Sequence, residues 1–341
     1  MEVKMSVIVP VYNGERFLHK CLDAIVSSKC RDFELIVVDD CSTDSSAGIA
    51  AAKEARVLKT ERQSGPGSAR NLAAKTAKGE ILMFVDADVV IKPETLGLVA
   101  AAFDREYEIS ALFGSYDDTP AEPNFLSQYK NLYHHYVHQT SNREASTFWA
   151  GLGAVKRDVF LDVGGFDCVK YAVPSIEDIE LGARLKESGH IIRLDPSIQA
   201  THLKMWKPWS LIRTDVFCRA IPWTKLMVSG NGVVNDLNLK VSDRLSAVSV
   251  GLMAICLPLA LWKPMFLILF ALLIMFMIVL NRRIIAFFAE KRGIIFALLT
   301  VPWQALYYFY SGTVFVICWA QHYLFRILRP NAASGLNRGT N

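Results

Sequence analysis

An α/β domain built on a mostly parallel sheet and followed by membrane-embedded helices is the fold class that these 341 residues predict. Three observations carry the expectation. Strand-like β-branched runs alternate with helical patterns through the first hundred residues, acidic residues close two of those runs, and the last hundred residues hold three long uncharged apolar runs. The chain is also longer than the ~250 to 300 residues at which single cores stop growing, so a second region is expected.

In chain order, residues 5–9 read as a first strand, 33–38 as a second and 81–85 as a third. Between the first two, Phe17, Leu18, Cys21, Leu22, Ile25 and Val26 recur at helical spacing and should face the sheet. Shorter strand-like runs at 191–194 and 197–201 precede His202. The alternation is that of a nucleotide-binding domain, and the absence of a Gly-x-Gly-x-x-Gly or a Walker-type glycine loop counts against dehydrogenases and P-loop enzymes.

From Arg244 the character changes. Residues 245–262 are 18 uncharged, mostly apolar positions, Lys263-Pro264 interrupts, 265–280 adds 16 more, and 294–320 adds 27. Each is near the ~17 to 25 residues that cross a bilayer, and a soluble fold with three such runs would lack polar surface. Charge divides the same way. Residues 241–341 carry nine basic and two acidic side chains, whereas 1–240 carry a net −3, so the first region offers no broad basic face and nucleic acid is not an expected partner. The seven cysteines form no C-x-x-C pair and read as reduced thiols, and the apolar stretch at the N-terminus is too short for an export signal. These features place the first region in the cytoplasm and the rest in the inner (cytoplasmic) membrane, crossing it several times. By the positive-inside tendency, two spans return the chain inside at Arg282-Arg283 and Lys291-Arg292, and a third puts the C-terminus outside. Arg326, Arg329 and Arg338 oppose that outcome, which leaves a re-entrant hairpin over 294–328, broken near Pro302 or Gly312, as the alternative.

Ligands bind open α/β sheets at the carboxyl ends of their strands. Asp39-Asp40 ends the second strand and Asp86-Ala87-Asp88 the third, and a tight turn there can present two carboxylates to one divalent ion while leaving positions for a diphosphate. An isolated Asp-x-Asp is a weak signal. Its context is specific: Ser6-Val-Ile-Val-Pro-Val-Tyr-Asn13, Val37-Val-Asp-Asp-Cys-Ser-Thr-Asp44, Gly65-Pro-Gly-Ser-Ala-Arg-Asn71 and Phe84-Val-Asp-Ala-Asp88 together resemble the ordered signature of family 2 glycosyltransferases of the GT-A fold, over about residues 5–202.

The resemblance implies an inverting transferase that uses a nucleotide-diphospho-sugar donor and a divalent metal, Mn2+ or Mg2+. It implies that Pro10, Tyr12, Asp39 and Asp40 hold the nucleoside, with Asp40 the preferred partner of a base N–H, and that Asp86 and Ala87 lie beside the donor. Arg70 would lie against the diphosphate or sugar, where a guanidinium offers paired donors. Asp86 and Asp88 would hold the metal, completed by His202. Trp149, Gly151 and Gly153 fall in the acceptor-side segment, whose glycines would let backbone approach the sugar. Asp178, in the Glu-Asp pair that opens a helix, would be the catalytic base, with Glu177 the fallback, and the helix dipole is expected to keep it ionised at neutral pH.

The expected organisation is a GT-A catalytic domain over 1–203, with the soluble part ending near Asp236, an amphipathic interfacial segment over 204–240, a transmembrane region over 241–328 and a polar tail over 329–341. In the interfacial segment Trp206, Trp209, Phe217 and Trp223 alternate with basic residues, which suits a bilayer surface and an acceptor presented there, as a lipid-linked sugar or a polyprenyl phosphate. A processive polysaccharide synthase would carry Gln-x-x-Arg-Trp, and the nearest sequence, Arg219-Ala-Ile-Pro-Trp223, has neither the glutamine nor the spacing, which favours single transfer in cell-surface glycan or glycolipid synthesis. A scaffold that binds sugar nucleotides without catalysis is the remaining alternative; the retained carboxylates argue against it.

Overall fold

The computed structural model describes residues 3–229 and 240–328, without the side chains of 325–328. The expected domain end near Asp236, the 230–239 part of the interfacial segment and the polar tail at 329–341 lie outside the described residues. The chain divides into two compact units, Met1–Pro208 and Trp209–Asn341.

The first unit opens with β1 (Met5–Val11), α1 (Glu15–Val26), β2 (Phe33–Asp39), α2 (Ser46–Ala52), β3 (Arg56–Lys59) and α3 (Gly65–Thr76). It continues through β4 (Ile81–Val85), β5 (Val89–Ile91), α4 (Thr95–Arg105), β6 (Ile109–Tyr116) and α5 (Phe125–Thr140), then β7 (Leu152–Lys156), α6 (Arg157–Asp162), α7 (Glu177–Glu187) and β8 (Ile191–His202). The eight strands form one sheet in the order β3-β2-β1-β4-β7-β6-β8-β5. β1, β2, β3 and β4 are mutually parallel, and the central β1 and β4 are buried along their whole length, as strands covered on both faces must be, whereas β3 at the edge is partly exposed. β7 runs antiparallel between β4 and β6, and β8 pairs parallel with β6 and antiparallel with β5. The two short runs expected before His202 are one 12-residue strand, irregular in its register with β6. Of the apolar set on α1, Leu18, Cys21, Leu22 and Ile25 are buried while Val26 faces solvent, because it lies a quarter turn beyond the stripe.

The parallel arrangement fixes where chemistry can occur. Val11 pairs with Asp39 and Ile8 with Phe84, so the loops after β1, β2 and β4 leave the sheet at one edge.

The second unit holds α8 (Pro208–Arg213), a π-helical segment (Thr214–Ala220), α9 (Ile221–Ser229), α10 (Val241–Ala260), α11 (Met265–Leu280), α12 (Arg282–Arg292) and α13 (Ile294–Leu328). Val241–Ala260 and Ile294–Leu324 are long and apolar enough to cross a membrane, and α11 with α12, bent by 69° at their junction, qualify as a pair. α13 continues through Pro302 and Gly312 without a break, so the hairpin alternative over 294–328 is not what forms. Proline removes one backbone donor there, and the surrounding apolar helix persists. Trp206 also departs from the expectation of an interfacial ring. It is 3% exposed, its backbone N–H donates to Ser127 Oγ and its carbonyl accepts from Asn124, so it belongs to the core of the first unit. Trp209 and Phe217, by contrast, are exposed.

Candidate active site

The loops after β1 and β2 are tied together by short side chains. Asn13, in a left-handed conformation (φ 49°), accepts from the Thr43 N–H at 2.8 Å and donates its own N–H to Ser42 Oγ at 3.0 Å. Pro10 is buried within β1, and Tyr12, just past the strand, is exposed with its ring free to cover a planar base. Asp39 and Asp40, adjacent in sequence, have different surroundings. Asp40 accepts from Thr60 Oγ1 and Ser64 N on one oxygen and from Ser64 N and Gly65 N on the other. It caps α3 from across the site, and that full set of donors leaves it poorly suited to bind the nucleoside base expected of it. Asp39 is 1% exposed; its Oδ1 accepts from Ser42 N, and its Oδ2 has no hydrogen-bond partner, with only Lys59 at 3.9 Å. A buried carboxylate oxygen left open at a strand end is the stronger candidate for a donor hydroxyl or N–H.

Arg70 stands at the centre. Its guanidinium is buried, 2.6 Å from Asp86 Oδ1 through Nη2 and 3.4 Å from Glu177 Oε1 through Nη1, with its Nε unpartnered and the Phe166 ring beneath it. It thus joins the turn after β4 to the first residue of α7. Asn71 fixes the loop between them by exchanging two hydrogen bonds with the Phe166 backbone.

Asp178 is held by two backbone donors, Ile179 N at 2.8 Å and Ala150 N at 3.2 Å. Removal from water, together with the adjacent Glu177 carboxylate, raises its pKa to about 7, against the opposing pull of the Ala150 N–H and Arg70. This overturns the expectation that a helix N-terminus would keep it fully ionised at neutral pH: desolvation and like charge outweigh the dipole. The result is a carboxylate half-protonated near neutral pH.

Trp149, Ala150 and Gly151 bridge the two halves, since Gly151 accepts the Asp86 N–H while Ala150 donates to Asp178. Packing alone requires glycine at both positions. A Cβ on Gly151 would lie 2.7 Å from the Trp149 indole, and one on Gly153 would strike the Trp149 carbonyl and the Phe148 ring.

Asp88 and His202 face each other, Oδ2 to Nε2, at 3.4 Å, because Val89 and His202 are paired across β5 and β8. Burial alone would raise the Asp88 carboxyl, but His202 and Lys204 outweigh it and hold it below the usual range. Among the described residues no three His, Cys, Asp or Glu side chains converge as a metal group, because Asp86 is turned to Arg70. An oxygen and an imidazole nitrogen still suit a divalent cation whose other positions come from a diphosphate. The structure adds a neighbour that sequence reasoning passed over: Tyr116, at the end of β6, stacks on His202 at 4.3 Å and meets Trp149 edge-on at 4.8 Å. His134 packs on both Tyr116 and Trp149, and the signal for it was the unusual density of Tyr133-His134-His135-Tyr136-Val137-His138 on α5.

A parallel α/β sheet carrying carboxylates on its strand ends, a buried arginine between them and a raised acid at a helix start defines the class of a GT-A nucleotide-sugar domain. Residues 6–164 match the family model described as "Glycosyl transferase family 2", and this part of the chain is a family 2 glycosyltransferase domain. Over 112 residues the chain is 40% identical to the poly(ribitol-phosphate) beta-N-acetylglucosaminyltransferase TarS of Staphylococcus aureus, covering 31% of this chain and 20% of that protein's length. Among solved structures, S. aureus TarS 1-349 in complex with UDP-GlcNAc shares the fold at a TM-score of 0.51 and 23% identity, covering 66% of this chain and 64% of that one. The mannosyltransferase PcManGT of Pyrobaculum calidifontis, in complex with GDP-Man and Mn2+, does so at 0.53 and 18% identity, over 94% of this chain and 87% of that one.

Proposed function

We propose that the chain is an inverting glycosyltransferase that moves one sugar from a nucleotide-diphospho-sugar donor to an acceptor presented at a membrane, a lipid-linked sugar or a polyprenyl phosphate. The observation that carries this reading is the pairing, through buried Arg70, of an acidic turn at the donor edge with a helix start bearing a carboxylate of pKa about 7. The reaction needs one base and no enzyme nucleophile. Asp178 takes the acceptor hydroxyl proton, the oxygen attacks the anomeric carbon from the far side, and the bond to the diphosphate oxygen breaks with inversion. Asp39 and Tyr12 hold the nucleoside, and Arg70 keeps Asp86 and Glu177 in register. A divalent cation bound by Asp88 and His202 would supply positive charge to the departing diphosphate. The first unit works in the cytoplasm, and the second crosses the cytoplasmic membrane more than once, in line with its long apolar helices.

The solved neighbours hold UDP-GlcNAc in one case and GDP-Man in the other, so both nucleotides belong in the test. Thermal stabilisation of the purified full chain by a panel of UDP- and GDP-sugars with manganese should single out one donor, since binding the native state raises its melting temperature. Release of nucleoside diphosphate should then depend on a lipid-linked acceptor and be impaired in Trp209→Ala. A chain that binds one sugar nucleotide yet transfers to no acceptor would be a scaffold and not an enzyme.

A further inference from the structure

We infer that Lys204 is a further donor-binding residue, whose ammonium meets the diphosphate of the sugar nucleotide beside Asp88 and His202 and makes the site prefer a nucleoside diphosphate over a nucleoside monophosphate. The inference deepens the transferase reading and rests on it.

The backbone carries this lysine to the rim of the site and holds it there. His202 pairs with Val89 at the end of β8, and the next N–H, that of Leu203, donates to the Asp88 carbonyl at 2.8 Å. Beyond the lysine, Trp206 is tied to the start of α5, through its N–H to Ser127 Oγ at 2.7 Å and through its carbonyl, which accepts from Asn124 Nδ2 at 2.9 Å. Lys204 thus stands between two anchored points, and it is exposed while His202, Leu203 and Trp206 are buried. Its ammonium lies 4.4 Å from the centre of the Trp206 ring. A ring face attracts a cation without neutralising it, so the charge stays available to an anion. Other lysines near buried carboxylates of the first unit are engaged, Lys59 at 3.9 Å from Asp39 and Lys92 at 2.6 Å from Asp117. Among the described residues Lys204 has neither an ion pair nor a hydrogen bond.

Charge balance at the turn after β4 asks for such a group. The diphosphate gains a negative charge when its bond to the sugar breaks, and that charge is best met by a cation already in place. Arg70 does not supply it alone, because it stands between two carboxylates, 2.6 Å from Asp86 and 3.4 Å from Glu177, and brings them no net positive charge. The other carboxylate of the turn has different company. Asp88 faces His202, and the burial that raises its carboxyl is outweighed by the charges of His202 and Lys204. The order of the strands gives the direction. The nucleoside residues stand at the ends of β1 and β2, whereas Lys204 follows β8 near the other end of the sheet, so the phosphate it meets is the outer one, next to the sugar. A point charge on a flexible stem, with donors that rotate, suits a phosphate whose oxygens shift as the sugar leaves.

Equilibrium binding to the purified full chain tests this. UDP, GDP, CDP and dTDP, each beside its monophosphate, are titrated into the parent, Lys204→Met and Lys204→Arg, with manganese and again in excess chelator. Methionine keeps an apolar stem on the Trp206 ring and removes the charge. Lys204→Met should bind the accepted diphosphate about tenfold or more weakly, in manganese and in chelator alike, and the monophosphate as the parent does. Lys204→Arg should retain most of the diphosphate affinity, because the charge is kept. Unchanged binding by Lys204→Met, or an equal loss for mono- and diphosphate, would overturn the inference. So would a loss seen only in manganese, since the substitution would then act through Asp88 and His202. Each of these outcomes leaves the transferase reading intact. A parent that binds none of the diphosphates would overturn that reading and the inference with it.

Discussion

The two units both bury polar side chains, and they leave them in different states. In the first unit buried ions keep bonding capacity unused: Asp39 Oδ2 at a strand end and Arg70 Nε within α3 have no hydrogen-bond partner, and Asp178 at the start of α7 is pushed up to a pKa of about 7. In the second unit Asp243, Tyr308, Asn281 and Ser246 satisfy one another. An unmet buried polar group costs about 1–3 kcal/mol, and a fold tolerates that cost where a ligand or a reaction will repay it. Among the described residues of the second unit Gln304 is the exception, 1% exposed with neither amide atom partnered. The contrast predicts that substitutions in the first unit change turnover more than stability, and that those in the second do the reverse.

The largest effect should come from Asp88→Ala. Losing the carboxylate that faces His202 removes half of the candidate cation site, worth several kcal/mol of charge stabilisation, so transfer should fall about 10³-fold or more while the melting temperature hardly moves. Excess chelator should have the same effect on the unmodified chain. Full activity in chelator would take the cation out of the reaction and leave Asp88 a structural residue.

Asp178→Asn should lower turnover by about 10² or more with donor binding retained. The unmodified enzyme should lose about tenfold in rate per pH unit below pH 7 and level off above it, because the protonated carboxyl cannot accept the acceptor proton. The sign for stability is opposite. The folded state holds this proton more tightly than the unfolded chain, so stability falls as pH rises from about 4 towards 7, and Asp178→Asn should melt higher than the parent above neutrality. A flat pH profile together with a dead Glu177→Gln would move the base to Glu177.

The adjacent pair Asp39 and Asp40 tests the contrast within one turn. Asp39→Asn should weaken binding of the donor nucleotide with the fold intact, whereas Asp40→Asn should cost about 1–2 kcal/mol of stability through loss of the α3 cap. The motif alone suggests the opposite division, for a physical reason. Which of two neighbouring carboxylates is engaged depends on Thr60, Ser64 and Gly65 folding back, some twenty residues on, and no local pattern records that. The same limit runs through the site. β1, β2 and β4 were legible because a short β-branched run closed by acids suits a buried strand that ends at a sheet edge and little else, and they do carry Asp39, Asp86 and Asp88 to one edge. The insertion of β7 between β4 and β6 is non-local pairing, and the proton affinity of Asp178 follows from burial and from Glu177 rather than from its place on a helix. Trp206 reads as interfacial because of its basic neighbours, whereas Ser127 and Asn124, far back in the chain, hold it in the core.

The smallest expected effects lie in the second unit and bear most directly on the comparison. Tyr308→Phe deletes one hydroxyl and leaves both Asp243 and Asn281 short of a partner at the end of α10 and α11. Loss of a buried donor in this way costs about 1–3 kcal/mol, which should lower the melting temperature of the detergent-solubilised chain by a few degrees, with turnover per folded molecule unchanged. Gln304→Leu should act in the opposite direction. Its amide is buried one turn before Tyr308 without a partner, and an apolar side chain of similar volume removes that penalty, for a gain of about 1 kcal/mol. The two variants are read in one thermal unfolding experiment, each against the parent and against the double substitution, because residues four apart on one helix face can couple. If Tyr308→Phe destabilises and Gln304→Leu stabilises, the second unit is held by satisfied polar pairs and carries one uncompensated amide. If Gln304→Leu instead lowers turnover with the melting temperature raised, the amide is held open for a polar group of the acceptor, and the division of labour between the units breaks at that residue.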